Sequence, residues 1–172
     1  MRRLLFLLLC LIPLIGSEIY FLPYDSKAAL KKLYKIIDSS TDSIDIAIYT
    51  FTDKKIAKRL KNAAKRGVKI RIIYDRDWNL KSGKSRIGYL EKYKNISSYT
   101  LSGKPYKKSK RRGKMHAKFM IVDSKTVLCG SANLSYSAFH TNYEVLQIDR
   151  DYQKAALFKR YFERMLKESK PY

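Results

Sequence analysis

Residues 114–133 read Lys-Met-His-Ala-Lys-Phe-Met-Ile-Val-Asp-Ser-Lys-Thr-Val-Leu-Cys-Gly-Ser-Ala-Asn. The apolar content of Lys114 to Val122 predicts a strand, and a period of two puts the His116 imidazole and the Lys118 ammonium on one face. Thr126 to Cys129 reads as the return strand of a hairpin turned at Asp123-Ser124-Lys125. The return brings Ser131 and Asn133 toward His116, so polar side chains of four kinds converge.

Working outward, Glu18 to Leu22 predicts a short strand, and Asp25 or Ser26 caps a helix with Ala29, Leu30, Leu33, Ile36 and Ile37 on one face. Ser43 to Thr50 alternates Ile44, Ile46 and Ile48 with Asp45, Ala47 and Tyr49, as a covered strand does. Thr52 or Asp53 starts a helix that Gly67 ends, and Val68 to Tyr74 is the next strand. A strand, helix, strand unit of this kind predicts parallel pairing. Asp75 to Ser85 reads as polar and irregular, Arg86 to Tyr93 as a short helix and Ile96 to Leu101 as a strand. Tyr143 to Ile148 is expected to be a strand and Asp151 to Lys167 a helix with a buried stripe. The sum is an α/β chain, a mixed β-sheet flanked by helices on both faces.

Composition narrows the partners. The 172 residues fit one domain, taken as 18–172, and carry 37 Lys and Arg against 15 Asp and Glu, a net charge of +22. With 14 Tyr and 7 Phe among those cations, the profile suits a polyanion binder. The cations concentrate between Ser102 and Gly113, where Lys104, Lys107, Lys108, Lys110, Arg111 and Arg112 enter the segment bearing Lys114 and His116. Such a run is a solvated loop or a clamp on a polynucleotide backbone.

Residues 1–17 open with Met1-Arg2-Arg3 and an apolar run from Leu4 to Ile15, the pattern of a secretory signal. Uncut, it is shorter than the roughly 20 residues that span a bilayer, although extension through Tyr20 to Leu22 would make it an anchor. Either reading implies export, to the periplasm, the membrane surface or the medium. Cys129 lies in an apolar run and reads as a buried thiol, and Cys10 lacks the small preceding residues of a lipid-attachment site. No His-x-x-x-His or paired Cys offers metal-ligand spacing, so no metal or other cofactor is expected.

His116-x-Lys118, four residues, Asp123, six residues, then Gly130-Ser131-x-Asn133 resembles the signature of the phospholipase D superfamily at every position. Glu144 falls where the small bacterial nucleases of that superfamily carry a glutamate behind the histidine, so the chain is most similar to the single-motif, Nuc-type subgroup. The resemblance implies a phospholipase D-like nuclease fold and phosphodiester hydrolysis through a phosphohistidine. On this reading His116 is the nucleophile, Lys118 and Asn133 hold nonbridging oxygens, Ser131 donates a further hydrogen bond and Glu144 orients the imidazole. Asp123 and Gly130 read as structural or orienting. Family members with two motifs draw the second acid from the second copy. This chain has one copy, and His140 lacks a lysine two residues on and reads as structural, so a homodimer with the site at its interface is expected.

The expected activity is thus exported, metal-independent endonuclease action on DNA or RNA with little sequence preference. Two other readings share the same residues: a phospholipid phosphodiesterase, and a noncatalytic surface protein that only grips DNA.

Overall fold

The computed structural model describes residues 16–109 and 111–172. In chain order the elements are β1 (Ser17–Leu22), α1 (Ser26–Asp38), β2 (Ser43–Ile48), α2 (Lys54–Lys65), β3 (Lys69–Asp75), α3 (Arg76–Lys81), α4 (Ile87–Leu90) and β4 (Ile96–Pro105). There follow β5 (Arg112–Lys114), β6 (Lys118–Val122), β7 (Thr126–Gly130), α5 (Tyr136–His140), β8 (Glu144–Arg150), α6 (Tyr152–Glu168) and β9 (Lys170–Pro171). The strands form one mixed sheet in the order β1-β8-β7-β6-β2-β3-β4-β5, with β9 on β4. The pairs β2/β3 and β3/β4 are parallel, and the β6, β7, β8 and β1 half is antiparallel.

The alternation in β2 explains the two layers. Ile44, Ile46 and Ile48 face a core shared with α1 and α2, whereas Ala47 joins Ile73, Phe119, Val127 and the α6 residues Ala155 and Phe162 on the other side. Asp45 also points to the α6 side and is buried. Arg71 meets it with two bonds of 2.7 and 2.9 Å, Lys159 of α6 joins the same carboxylate, and Arg71 bonds Glu163 of α6 at 2.7 Å. This charge-assisted network fixes where α6 crosses the sheet.

Several expectations change in the structure. The strand foreseen over 114–122 is two pieces: β5 pairs with β4, β6 pairs with β2 and β7, and Met115 to Ala117 lie between them unpaired. The basic run foreseen as a loop is in part a β-ribbon, because β4 continues to Pro105 and folds back onto β5, while Lys107, Lys108 and Arg111 stay in the loop between the two strands. Asp75 to Ser85 is not irregular throughout. The Asp75 carboxylate accepts Trp78 N–H at 2.9 Å and starts α3. The short α5, capped by Ser135, and β9 were not foreseen. The signal or anchor segment lies outside the described residues except for Gly16 and Ser17, and Ser17 already pairs with Asp149. Among the described residues no helix is long and apolar enough to cross a membrane.

The hairpin turn is held from below. Asp123 and Ser124 adopt φ of 51° and 52°, and the Asp123 carboxylate accepts the N–H groups of Thr41, Asp42 and Ser43 at 2.9 to 3.2 Å. It therefore ties the β6-β7 hairpin to the entry of β2, at the opposite end of β6 from Lys118. Replacing Asp123 by Ala strands three donors and is expected to lower unfolding free energy by about 1–2 kcal/mol in urea titration, leaving the environment of His116 unchanged by NMR shift.

Candidate active site

The ends of β2, β3 and β7 and the starts of β6 and β8 meet at one end of the central strands, and each contributes a side chain or an adjoining residue there. His116 stands in the unpaired link between β5 and β6. Its position depends on Asp75, at the end of β3, whose buried Oδ2 accepts Met115 N–H at 3.0 Å. That bond turns the chain away from the straight strand anticipated for 114–122. His116 and Lys118 nevertheless converge: Lys118 Nζ lies 3.1 Å from His116 Nδ1 and donates to the His116 carbonyl at 2.8 Å.

Tyr49, directly after β2, covers the imidazole with ring centroids 4.6 Å apart. Lys114 Nζ donates to the Tyr49 hydroxyl at 3.1 Å, and both Lys114 and Lys118 lie over its ring, at 5.3 and 5.6 Å. Partial desolvation, then the Lys118 and Lys114 charges, pull the His116 pKa below the ordinary histidine value, with Asp75 and Glu144 opposing. Lys118 is likewise lowered by burial, and Glu144 opposes that shift. The neutral imidazole is the favoured form at neutral pH.

Asn133 and Ser131 reach the site through the return strand. Asn133 Oδ1 accepts Thr50 N–H at 3.0 Å, which aims its Nδ2 elsewhere, and Nδ2 has no protein partner among the described residues. Thr52 and Asp53 N–H groups bond the Leu134 carbonyl, and Leu134 N–H bonds Thr50, so the segment after β2 and the segment after β7 are laced together. Ser131 exchanges bonds with Val145: its N–H donates to the Val145 carbonyl and its Oγ accepts Val145 N–H, each at 3.0 Å. The Ser131 O–H stays available. Gly130 makes this approach feasible, since a Cβ there would sit 2.0 Å from the Val145 oxygen.

Glu144, at the start of β8, makes no hydrogen bond to His116. It accepts from Asn142 Nδ2 at 3.3 Å, and the side chain within hydrogen-bond distance of His116 Nδ1 is Lys118. Its action on His116 and Lys118 is through its charge. Asp123 lies away from these residues. His140 approaches Ser26 Oγ at 3.3 Å and packs on Tyr136, apart from His116.

Of the basic group, Lys114 touches the site through Tyr49, Lys104 pairs with Glu168, and Lys107, Lys108, Arg111 and Arg112 are exposed along the ribbon. Lys110 lies outside the described residues. Among the described residues no group of three or more His, Cys, Asp or Glu side chains is placed to hold a metal. Sequence reading missed Tyr49, Thr50 and Asp75. Tyr49 was visible as part of the alternation over 43–50 and Asp75 as an acid after an apolar run, but neither pattern signals a role at the site.

The electrostatics predict the titration of His116. By NMR the imidazole should titrate below the ordinary value of about 6.5. Glu144→Gln removes an opposing charge and should lower the midpoint further, whereas Lys118→Met should raise it. A wild-type midpoint above the ordinary value would contradict this electrostatic picture.

Residues 33–166 match the family described as cardiolipin synthase, PLD-like domain. The mouse mitochondrial cardiolipin hydrolase is 30% identical over 146 residues, covering 85% of this chain but 62% of its own length. The chain thus spans under two thirds of that relative. Among solved structures, NucT from Helicobacter pylori superposes with a TM-score of 0.89 at 39% identity, covering 92% of this chain and 99% of that one. Nuc from Salmonella typhimurium, a phospholipase D family member, superposes with a TM-score of 0.77 at 28% identity, covering 92% and 98%. The chain belongs to the phospholipase D superfamily and is a Nuc-type member of it.

Proposed function

We propose that this phospholipase D family phosphodiesterase is an exported endonuclease that cleaves DNA or RNA with little sequence preference, without a metal, through a phosphohistidine on His116. The observation that carries the reading is the Lys118 ammonium 3.1 Å from the His116 imidazole, which is held toward its neutral form, at the strand end where Asn133 Nδ2 has no protein partner among the described residues. The excess of cations and the near end-to-end similarity to two bacterial Nuc proteins support a polymeric phosphate as substrate. Phosphate contacts without base-reading elements position a strand without selecting its sequence.

The chemistry follows from the side chains. Nonbridging oxygens compete with His116 for Lys118 and draw the ammonium off Nδ1, while Asn133 Nδ2 and the Ser131 hydroxyl supply further donors. The freed imidazole attacks phosphorus, the bond to the leaving nucleoside oxygen breaks, and that oxygen takes a proton. Water then attacks phosphorus, giving its proton to the group that protonated the leaving oxygen; the phosphorus–nitrogen bond breaks, which restores His116 and leaves a phosphomonoester. The charge of Glu144 favours the transient cationic imidazole.

The proton donor is His116 of a second copy of the chain, in a homodimer with its site at the interface. Ile19, Phe21 and Val145 support this, since they form an exposed apolar patch on the α6 side of β1 and β8, where Phe21 faces Val145. Val145 is bonded to Ser131, so the patch adjoins the site. The N-terminal segment is read as the signal or membrane anchor of the exported enzyme.

A lipid phosphodiesterase is the second reading, favoured by the similarity to the mouse cardiolipin hydrolase. Digestion separates the two. The chain should cleave single-stranded or duplex DNA in excess EDTA, and His116→Ala should lose roughly a thousandfold or more in rate. Cardiolipin turnover without DNA cleavage would select the lipid reading, and loss of activity in EDTA would refute metal independence. A second prediction concerns assembly: Phe21→Asp should give monomers by sedimentation and abolish turnover, whereas a fully active monomer would contradict the dimeric site.

A further inference from the structure

We propose that the cleft between α1 and α2 is a second binding site, which holds an unpaired stretch of the polynucleotide several nucleotides from the scissile phosphate. The proposal rests on the nuclease reading and extends it to a surface that the chemistry does not use. The cleft has a volume near 1340 Å³. Lys27, Lys31 and Lys35 line its α1 wall four residues apart, on one ridge of the helix, and Lys54, Lys55 and Arg59 come from α2.

This placement opposes local helix electrostatics. Lys27 lies in the first turn of α1, Lys54 and Lys55 in the first turn of α2, and neither first turn contains an acid. Cations there oppose the helix dipole, and like charges four apart repel. The two carboxylates in the cleft are engaged: Asp38 pairs with Arg59, and Asp53 caps α2 through Lys55 and Ile56 N–H. An anionic strand would relieve the repulsion.

Aromatic rings stand between the cations. Tyr24 and Tyr136 are 78% and 66% exposed, Tyr24 is backed by Tyr143 at 6.0 Å, and the Arg59 guanidinium lies 4.1 Å over Tyr34. Exposed rings beside a cationic groove suit stacking of unpaired bases, which a duplex keeps inside its own stack.

The cleft also adjoins a second one that reaches the candidate active site at Asn133. A smaller cleft of about 450 Å³ is lined by Asn133, Thr50 and Trp78 and shares Thr52 and Tyr136 with the larger one. A strand with its phosphate at Asn133 can pass over Tyr136 into the α1/α2 cleft. The 13 residues of α1 run for about 20 Å, room for roughly six stacked nucleotides at 3.4 Å each. A bilayer would also attract these cations, but a concave cleft leading to a phosphate site fits a strand better than a planar surface.

The test uses the full chain with Tyr24→Ala, Lys27→Gln and Lys31→Gln combined. Wild-type kcat/KM should rise roughly tenfold between single strands of about four and about 20 nucleotides, and the triple variant should flatten that rise to within about twofold. Its rates on the shortest strand and on bis(4-nitrophenyl) phosphate should equal wild type. In a His116→Ala background, the same changes should weaken binding of the long strand by roughly tenfold in fluorescence anisotropy. An unaltered length dependence would overturn the proposal, as would equal losses on short and long substrates. Loss of binding to phosphatidylglycerol or cardiolipin vesicles with strand binding intact would reassign the cleft to a membrane. If wild type hydrolysed the nitrophenyl ester but no oligonucleotide, the nuclease reading itself would fall and the cleft proposal with it.

Discussion

The bond from Met115 N–H to the buried carboxylate of Asp75 is the constraint on which the site depends. A strand running straight from Lys114 to Val122 would place His116 by pleat alone. Instead the chain leaves the β4-β5 ribbon, is caught at Met115 and joins the central sheet only at Lys118. His116 is thereby lifted out of the ladder and set against Tyr49. The same carboxylate starts α3, and Asn79 of that helix bonds the Tyr49 carbonyl at 2.8 Å. One buried acid thus positions the histidine and, through α3, the wall it packs against. Because a buried carboxylate is stable only when its acceptor sites are filled, these bonds hold as a unit.

A second constraint is the lacing of two chain segments at the ends of β2 and β7. Thr50, Thr52 and Asp53 are joined to Asn133 and Leu134, and Asn133 spends its carbonyl oxygen there. The amide orientation is therefore set by backbone geometry rather than by substrate, and its donors are pre-aimed. The reciprocal pair between Ser131 and Val145 does the same for the hydroxyl, and it needs Gly130 for the strands to approach closely. Donors fixed before substrate arrives cost little reorganisation when charge develops on phosphate oxygens.

Much of this was legible in the sequence, for identifiable reasons. Alternation in β2 and the Gly67 cap give the parallel unit, and residues 115–133 show the turn and both apolar runs. What was not legible came from long-range acceptors. Asp75 is unremarkable in a polar stretch until its partner 40 residues away is known, and the split of the His116 strand follows from that partner. The ribbon formed by β4 and β5 was hidden because its lysines and arginines mark exposure, not pairing. The expected bond between Glu144 and His116 is absent because spacing specifies neighbourhood and not hydrogen-bond partner: the carboxylate accepts from Asn142, and Lys118 is the group at Nδ1. Tyr49 carries no motif signal of its own and gains its place by packing.

The central claim is that His116 is the group that bonds to phosphorus. It is tested most directly by rapid acid-free quenching of the chain with a single-stranded oligonucleotide, followed by proteolysis and mass spectrometry of the peptide spanning Met115 to Lys118. The account predicts a nucleotidyl adduct on His116 that appears before the bulk product, is labile to acid and is absent from His116→Ala. Full turnover with no adduct at any quench time, or an adduct on another residue, would contradict it.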